Sequence, residues 1–331
     1  MEKEGMHESY LVGRFDIAGF TAGANDTNNN NALFNNTSGL NNIAVGYSAL
    51  SNNTIGSNIA LGYRALERNT TGTFNIAIGQ NAGQTVQGIN AVAIGSESAS
   101  DNQGQYNISI GYQAGQTYQA SASTYGSCSI AIGNQSGQST QGINSIALGY
   151  QAGQNTQGDY TVSIGFQAGQ NTQGNYAIAI GTSAAASSQG SEAIAIGPQA
   201  APTSQGTYGV AIGSGNVGDS QGTGAVAVGR SSGRNASQYS VALGYGAGWG
   251  DGPSLGAYQL ALGAYAAAGG GYDNSIILNA SGDYFDASAS GLFIRPVRYT
   301  ETQDATDDGL VFYNQSTGEV RYSYTLDGGS F

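Results

Sequence analysis

Charge is scarce in this chain: 9% of its 331 residues are Asp, Glu, Lys or Arg, against about a quarter in an ordinary soluble domain. Basic side chains are the scarcer kind, 9 against 21 acidic ones, and Lys3 is the single lysine. The resulting net charge of −12 argues against nucleic acid and anionic membrane surfaces as partners, because phosphate contacts need clustered Lys and Arg. No stretch approaches about 18 consecutive apolar residues, so no membrane-spanning helix is expected. The opening MEKEGMHESYLVGRF lacks the apolar segment of a signal peptide, and none is expected. One cysteine, Cys128, excludes an intrachain disulfide. With His7 as the single histidine, there is little from which to build a hydrolytic triad or a metal site.

Glycine, by contrast, is abundant, with 54 residues, and it is regularly placed. A phrase of apolar, small, apolar, Gly ends at Gly46, Gly62, Gly79, Gly95 and Gly111, then at Gly133, Gly149, Gly165, Gly181, Gly197, Gly213, Gly229, Gly244 and Gly263. The usual interval is 16 residues, and a last copy, IILN, places Asn279 one interval after Gly263, for fifteen copies. Such self-similarity marks a solenoid. Within each copy the apolar residues lie two apart, as in Ile76 and Ile78 or Val162 and Ile164, which is strand periodicity.

A third member often precedes the pair by two: Phe74, Tyr106, Tyr160, Tyr176, Tyr208, Tyr239 and Tyr258, with Cys128 and Glu192 in the same slot of other copies. Parity places these on the face of the aliphatic pair. Eight copies carry a Gln-Gly turn, with Gln87, Gln103, Gln141, Gln157, Gln173, Gln189, Gln205 and Gln221. Identical side chains at identical corners predict a stacked amide ladder.

Sixteen extended residues reach only about 53 Å, so a coil holds two short strands and two turns. The expected fold is all-β: a flat parallel β-roll, or β-solenoid, of about 15 coils of about 16 residues, roughly 67 Å long at one strand spacing per coil. The aliphatic pair is expected to form its core, with the intervening Ala or Ser on the other face, where something approaches closely. Such a core is thin when weighed against backbone entropy of about 1–2 kcal/mol per residue. Chains are therefore expected to associate side by side as a homotrimer, through the Ala/Ser face or the tyrosine slots.

The phrases NIAVGYSAL, NIAIGQNAG, NSIALGYQAG and AIAIGTSAAA resemble the head repeats of YadA-like trimeric autotransporter adhesins over about residues 31–280. Similar repeats occur in tail fibres and appendages of bacteriophages and large algal viruses. The stretch GLFIRPVRYTETQDATDDGLVFYNQSTGEVRYSYT resembles the segment that follows the repeats in those fibres. The resemblance implies a left-handed trimeric roll. This unit is longer than the family's usual one, and the chain shows no heptad stalk or membrane-barrel segment.

Three segments are expected: 1–26 as an N-terminal cap or attachment segment, 27–280 as the β-roll, and 281–331 as a small C-terminal β cap with NQSTGE as a hairpin turn. NALFNNTSG (31–39) reads as a half-coil that starts the stack; TYQASASTYGS and GWGDGPSLG read as irregular loops. Aromatics just after the repeat glycine, Tyr47, Tyr63, Tyr112, Tyr150, Phe166 and Tyr245, are expected to form a surface or inter-chain stripe, through chain packing or through sugar contacts. Cys128 is expected to be buried packing. The repeat acids Glu67, Glu97, Asp101, Asp159, Glu192, Asp219, Asp251 and Asp273 read mainly as solvated corners, and the run ETQDATDD as a solvated loop. No catalytic, metal or cofactor-binding residue is assigned.

The expected function is structural, a trimeric virion fibre or spike involved in host attachment. Its expected partners are copies of itself, other virion proteins, and a host glycan or protein receptor, with no nucleic acid and no membrane insertion. The alternatives are a bacterial surface adhesin head and a polysaccharide-degrading tailspike, since β-solenoids host such enzymes on their lateral faces. The tailspike would need paired carboxylates.

Overall fold

The computed structural model describes residues 32–36, 38–118, 128–249 and 255–296, and the backbone of two strands beyond them, Leu310–Asn314 and Glu319–Ser323. No helix occurs among these residues, and none long and apolar enough to cross a membrane. Sixteen short parallel strands, from Ile43–Val45 to Gly291–Arg295, stack in one sheet in the order of the repeats. Equivalent positions lie in register: Val162 against Ile178, Ser163 against Ala179, Ile164 against Ile180. A second parallel sheet forms from the two-residue strands Thr140–Gln141, Thr156–Gln157, Thr172–Gln173, Ser188–Gln189 and Ser204–Gln205. The regular coils thus hold two strands and two turns, a parallel β-solenoid of about 15 turns. The half-coil is present too: the Leu33 and Asn35 N–H groups donate to Ala49 and Ser51 of the next coil, at 3.0 and 2.7 Å.

The interior differs from the expectation. The small middle residue of each strand is the buried one: Ala44, Ala60, Ala77, Ala131, Ala147, Ala179, Ala195 and Ala211 are all fully buried. The flanking Ile, Val and Leu point outward and stay partly exposed. Facing these alanines from the opposite layer are Ala49, Ala65, Ala82, Ala114, Ala152, Ala168, Ala184 and Ala200, likewise fully buried. The reason is space. A coil this short closes with its two layers too near each other to admit branched side chains from both, so methyl groups meet across the interior. The Ala/Ser face is therefore inside each coil and unavailable to a neighbouring chain.

Polar ladders complete the interior. Gln157, Gln173, Gln189 and Gln205 are buried at 1–3% exposure; each ends a two-residue strand, so the turn expected at Gln-Gly begins only after the glycine. The Nε2 of Gln173 donates to Val162 O at 3.1 Å, to Ala177 O at 3.2 Å and to Gln189 Oε1 at 3.1 Å, and the pattern repeats from Gln189 to Gln205 and from Gln205 to Gln221. A second ladder, of asparagine, starts the stack. Asn42, Asn58 and Asn75 each accept the N–H of the corresponding residue one coil on, at 2.8–3.0 Å. Most of the hydrogen bonds of these buried amides are made within the stack, which is what lets them be buried; Gln157 Oε1 and Asn75 Nδ2 are left without a partner.

The turns depend on left-handed backbone. In one coil, Gln151, Gly153 and Tyr160 have φ of 53°, 52° and 59°. For the non-glycine residues this costs on the order of 1 kcal/mol each. Hydrogen bonds to the preceding coil offset the cost: Gln151 N–H to Asn134 O at 2.9 Å and Tyr160 N–H to Ile143 O at 2.8 Å. The repeat glycine is required twice over. Gly149 has φ +127°, and a Cβ there would lie 2.5 Å from Gly165 O.

At the C-terminal end the interior residue enlarges, from Ala261 to Ile277 to Phe293, which occupy one register position in successive strands. The strand Gly291–Arg295, expected in the cap, pairs in parallel with Ser275–Asn279 as a sixteenth rung. The solenoid therefore runs past residue 280, and the chain divides after Arg295. In the second unit Leu310–Asn314 pairs antiparallel with Glu319–Ser323, the hairpin that the NQSTGE turn predicts. The 1–26 segment, the loop residues 119–127 and 250–254, and the acidic run 301–308 lie outside the described residues.

Candidate functional site

The outward residues of the sixteen-stranded sheet make a column of paired aliphatic side chains along one lateral face. Some reach well into solvent, among them Ile78, Ile132, Ile212, Leu262 and Ile276 at 36–44% exposure. Beside it run the residues two before each strand. Tyr106, Tyr160, Tyr176 and Tyr208 have φ of 59–61°, so they belong to the turn, yet they share the side of the aliphatic pair: Tyr176, Ile178, Glu192 and Ile194 line one shallow groove. Tyr160 and Tyr176 stack with ring centroids 5.0 Å apart and planes within 2°. Cys128 occupies this slot as an exposed free thiol; the expectation of burial fails because the slot points outward.

The aromatics after the repeat glycine resolve into islands. Tyr47 stacks on Tyr63 at 5.4 Å and Tyr150 on Phe166 at 5.2 Å, both nearly parallel. Tyr112 is exposed, with Ser96 and Asn134 at the equivalent positions of the coils on either side. Tyr245 meets Tyr265 edge to face, at 5.2 Å and 87°. Tyr265, one position out of the column, stacks on Tyr284 at 4.9 Å. Sequence reasoning missed both, because neither directly follows a repeat glycine. The vacancy left by Gly246 admits the Tyr265 ring, which a Cβ there would meet at 3.0 Å. The hydrogen bond with Tyr245, then desolvation, holds the Tyr265 phenol above its ordinary pKa. Arg230 takes the same post-glycine position one coil earlier and lies 5.8 Å over the Tyr245 ring.

Carboxylates are used as structural acceptors rather than grouped. Glu97 accepts from Gln113 and Gln116 at 2.8 and 3.0 Å, heading an outer glutamine network that continues through Gln135, Gln138, Gln151, Gln154, Gln167 and Gln170. The YQAGQ phrase is explained by this network. Asp159 accepts the Ile143 N–H at 3.0 Å, Asp273 that of Ala257 at 2.7 Å, and Asp219 the amide and hydroxyl of Thr203. Among the described residues no three His, Cys, Asp or Glu side chains gather where a metal could sit.

Fold and surface together define a parallel β-solenoid with an alanine-and-amide interior and an aliphatic lateral face bordered by aromatics. No protein-family model, curated protein or solved structure matches the chain.

Proposed function

We propose that three copies of this chain join through their aliphatic lateral faces to form a structural virion appendage, a fibre or spike that contributes to host attachment. The observation that carries the reading is the uninterrupted outward ladder of Ile, Val and Leu from Ile43 to Leu262, partly exposed in the single chain. Sixteen strands span roughly 70 Å, and each three-residue strand is about 7–10 Å wide. The ladder thus projects roughly 500–700 Å² of mostly apolar surface, at or above the largest patch that single soluble chains usually leave to water. A strip one strand wide suits closure around a threefold axis, with the tyrosine slots filling its margins.

The resemblance of the repeats to those of phage and large-virus fibres supports placement on a virion. Immunogold labelling with antibodies against the solenoid tests it. Label on particles is expected; label confined to bacterial cells would replace the virion reading with the surface-adhesin one.

A further inference from the structure

We infer that the cleft between Arg230, Tyr245, Trp249 and Tyr265 binds a carboxylate-bearing pyranose, an acidic sugar of the uronate type. Among the described residues three guanidinium groups lie over aromatic rings. Arg64 lies 5.1 Å over Tyr63, Arg230 lies 5.8 Å over Tyr245, and Arg295 lies 5.8 Å over Phe285. Two of the three face a carboxylate: Arg64 with Glu67 and Arg295 with Asp283, each at 3.7 Å. Arg230 meets none among the described residues. Its polar contact is the Tyr245 hydroxyl at 3.5 Å, the outer limit of a hydrogen bond. A guanidinium offers five N–H donors in a planar fork that matches a carboxylate. Among the described residues, this leaves the Arg230 fork open to an acid supplied from outside.

The surroundings of Arg230 select the rest of the ligand. The cleft is also lined by Ser231 and Gly246 and holds about 170 Å³. That is below the ~300–1,000 Å³ of drug-sized sites, so the occupant is a single ring. Tyr245 and Tyr265 stand at 87°, whereas the other ring pairs among the described residues lie within 24° of parallel. The column therefore turns a corner here, and Tyr284 supports Tyr265 from the next coil. A corner of two phenols and an indole offers apolar faces to the C–H face of a pyranose, and Ser231 Oγ and the phenol hydroxyls are within the same lining to meet its hydroxyl groups. The chain supplies Trp249 by lengthening one interval, from Gly244 to Gly263, to 19 residues.

Trp249 is the chain's only tryptophan, so its fluorescence reports this cleft alone. The full chain is titrated with methyl glucuronide, methyl glucoside and acetate. A saturable change with glucuronide is expected, with apparent affinity at least tenfold weaker for glucoside and for acetate. Arg230→Gln weakens glucuronide binding at least tenfold, and Arg230→Lys, which keeps the charge without the fork, falls between. Arg230 is exposed, so unchanged circular dichroism is expected for both variants. No saturable response to glucuronide, an equal response to glucoside or acetate, or full affinity in Arg230→Gln would overturn the site. The inference deepens the attachment reading and rests on it for biological meaning only. A sample that sediments as a trimer yet ignores glucuronide loses the cleft and leaves the appendage standing.

Discussion

Ile178 and Ala179 are adjacent in one strand and face opposite ways, Ala179 fully buried inside the coil and Ile178 partly exposed on the lateral face. Their registers continue into Ile194 and Ala195 on the next rung. That alternation separates the residues that hold a coil together from those left on its lateral face, where the proposed trimer would form.

Ala179→Leu forces three further carbons into a closed interior. Overpacking costs typically ~1–3 kcal/mol, and the urea midpoint is expected to fall accordingly. Ile178→Lys with Ile194→Lys adds no bulk to the interior. This pair is expected to abolish association while far-ultraviolet circular dichroism keeps its β signature.

Gly149→Ala combines a φ of +127° with a Cβ 2.5 Å from Gly165 O. Since the obstruction is backbone, no side-chain rotation relieves it. Strain of ~1–3 kcal/mol is expected, read as a lower melting temperature. Unchanged melting would mean that the rungs are not stacked this closely.

Gln173→Leu strips a buried amide that also accepts from Ser163 Oγ at 2.7 Å. Orphaned partners cost about 1–3 kcal/mol each, so a loss of several kcal/mol is expected in chemical denaturation. Gln170→Leu, on the partly exposed outer network, is expected to cost under about 1 kcal/mol.

Tyr176 sits at φ +60°. Asparagine tolerates this region and β-branched residues do not. Tyr176→Val is therefore expected to lower the melting temperature more than Tyr176→Asn, although valine keeps more apolar surface. The opposite order would place Tyr176 on extended strand.

Much of this architecture is written in spacing. The interval between Gly149, Gly165 and Gly181 fixes the rung, and the alternation of Ile76, Ala77 and Ile78 identifies a strand. Periodicity alone separates two faces without saying which is inside. The usual rule that bulky aliphatics form the core points the wrong way for the strand pair, because a regular coil leaves the strand's interior position room for little more than a methyl group; branched side chains enter the interior only at a few positions, such as Leu50, Leu66, Val217 and Leu255. The asparagine ladder was readable in the Asn that opens NIAVG, NIALG and NIAIG at Asn42, Asn58 and Asn75, three copies of a polar residue beside an apolar strand. The sixteenth rung hid because GLFIR lacks a closing glycine, although Leu292 follows Ile276 at the repeat interval. The Tyr245–Tyr265 corner was not legible. It depends on a ring displaced by one position into the space above Gly246, and residue spacing carries no sign of that displacement.

The proposed trimer rests on the lateral aliphatic ladder, and sedimentation equilibrium of the purified chain tests it most directly. A single species at three times the 33.5 kDa chain mass is predicted, dissociating in the Ile178→Lys, Ile194→Lys variant. A wild-type chain that stays at 33.5 kDa across micromolar concentrations would contradict it.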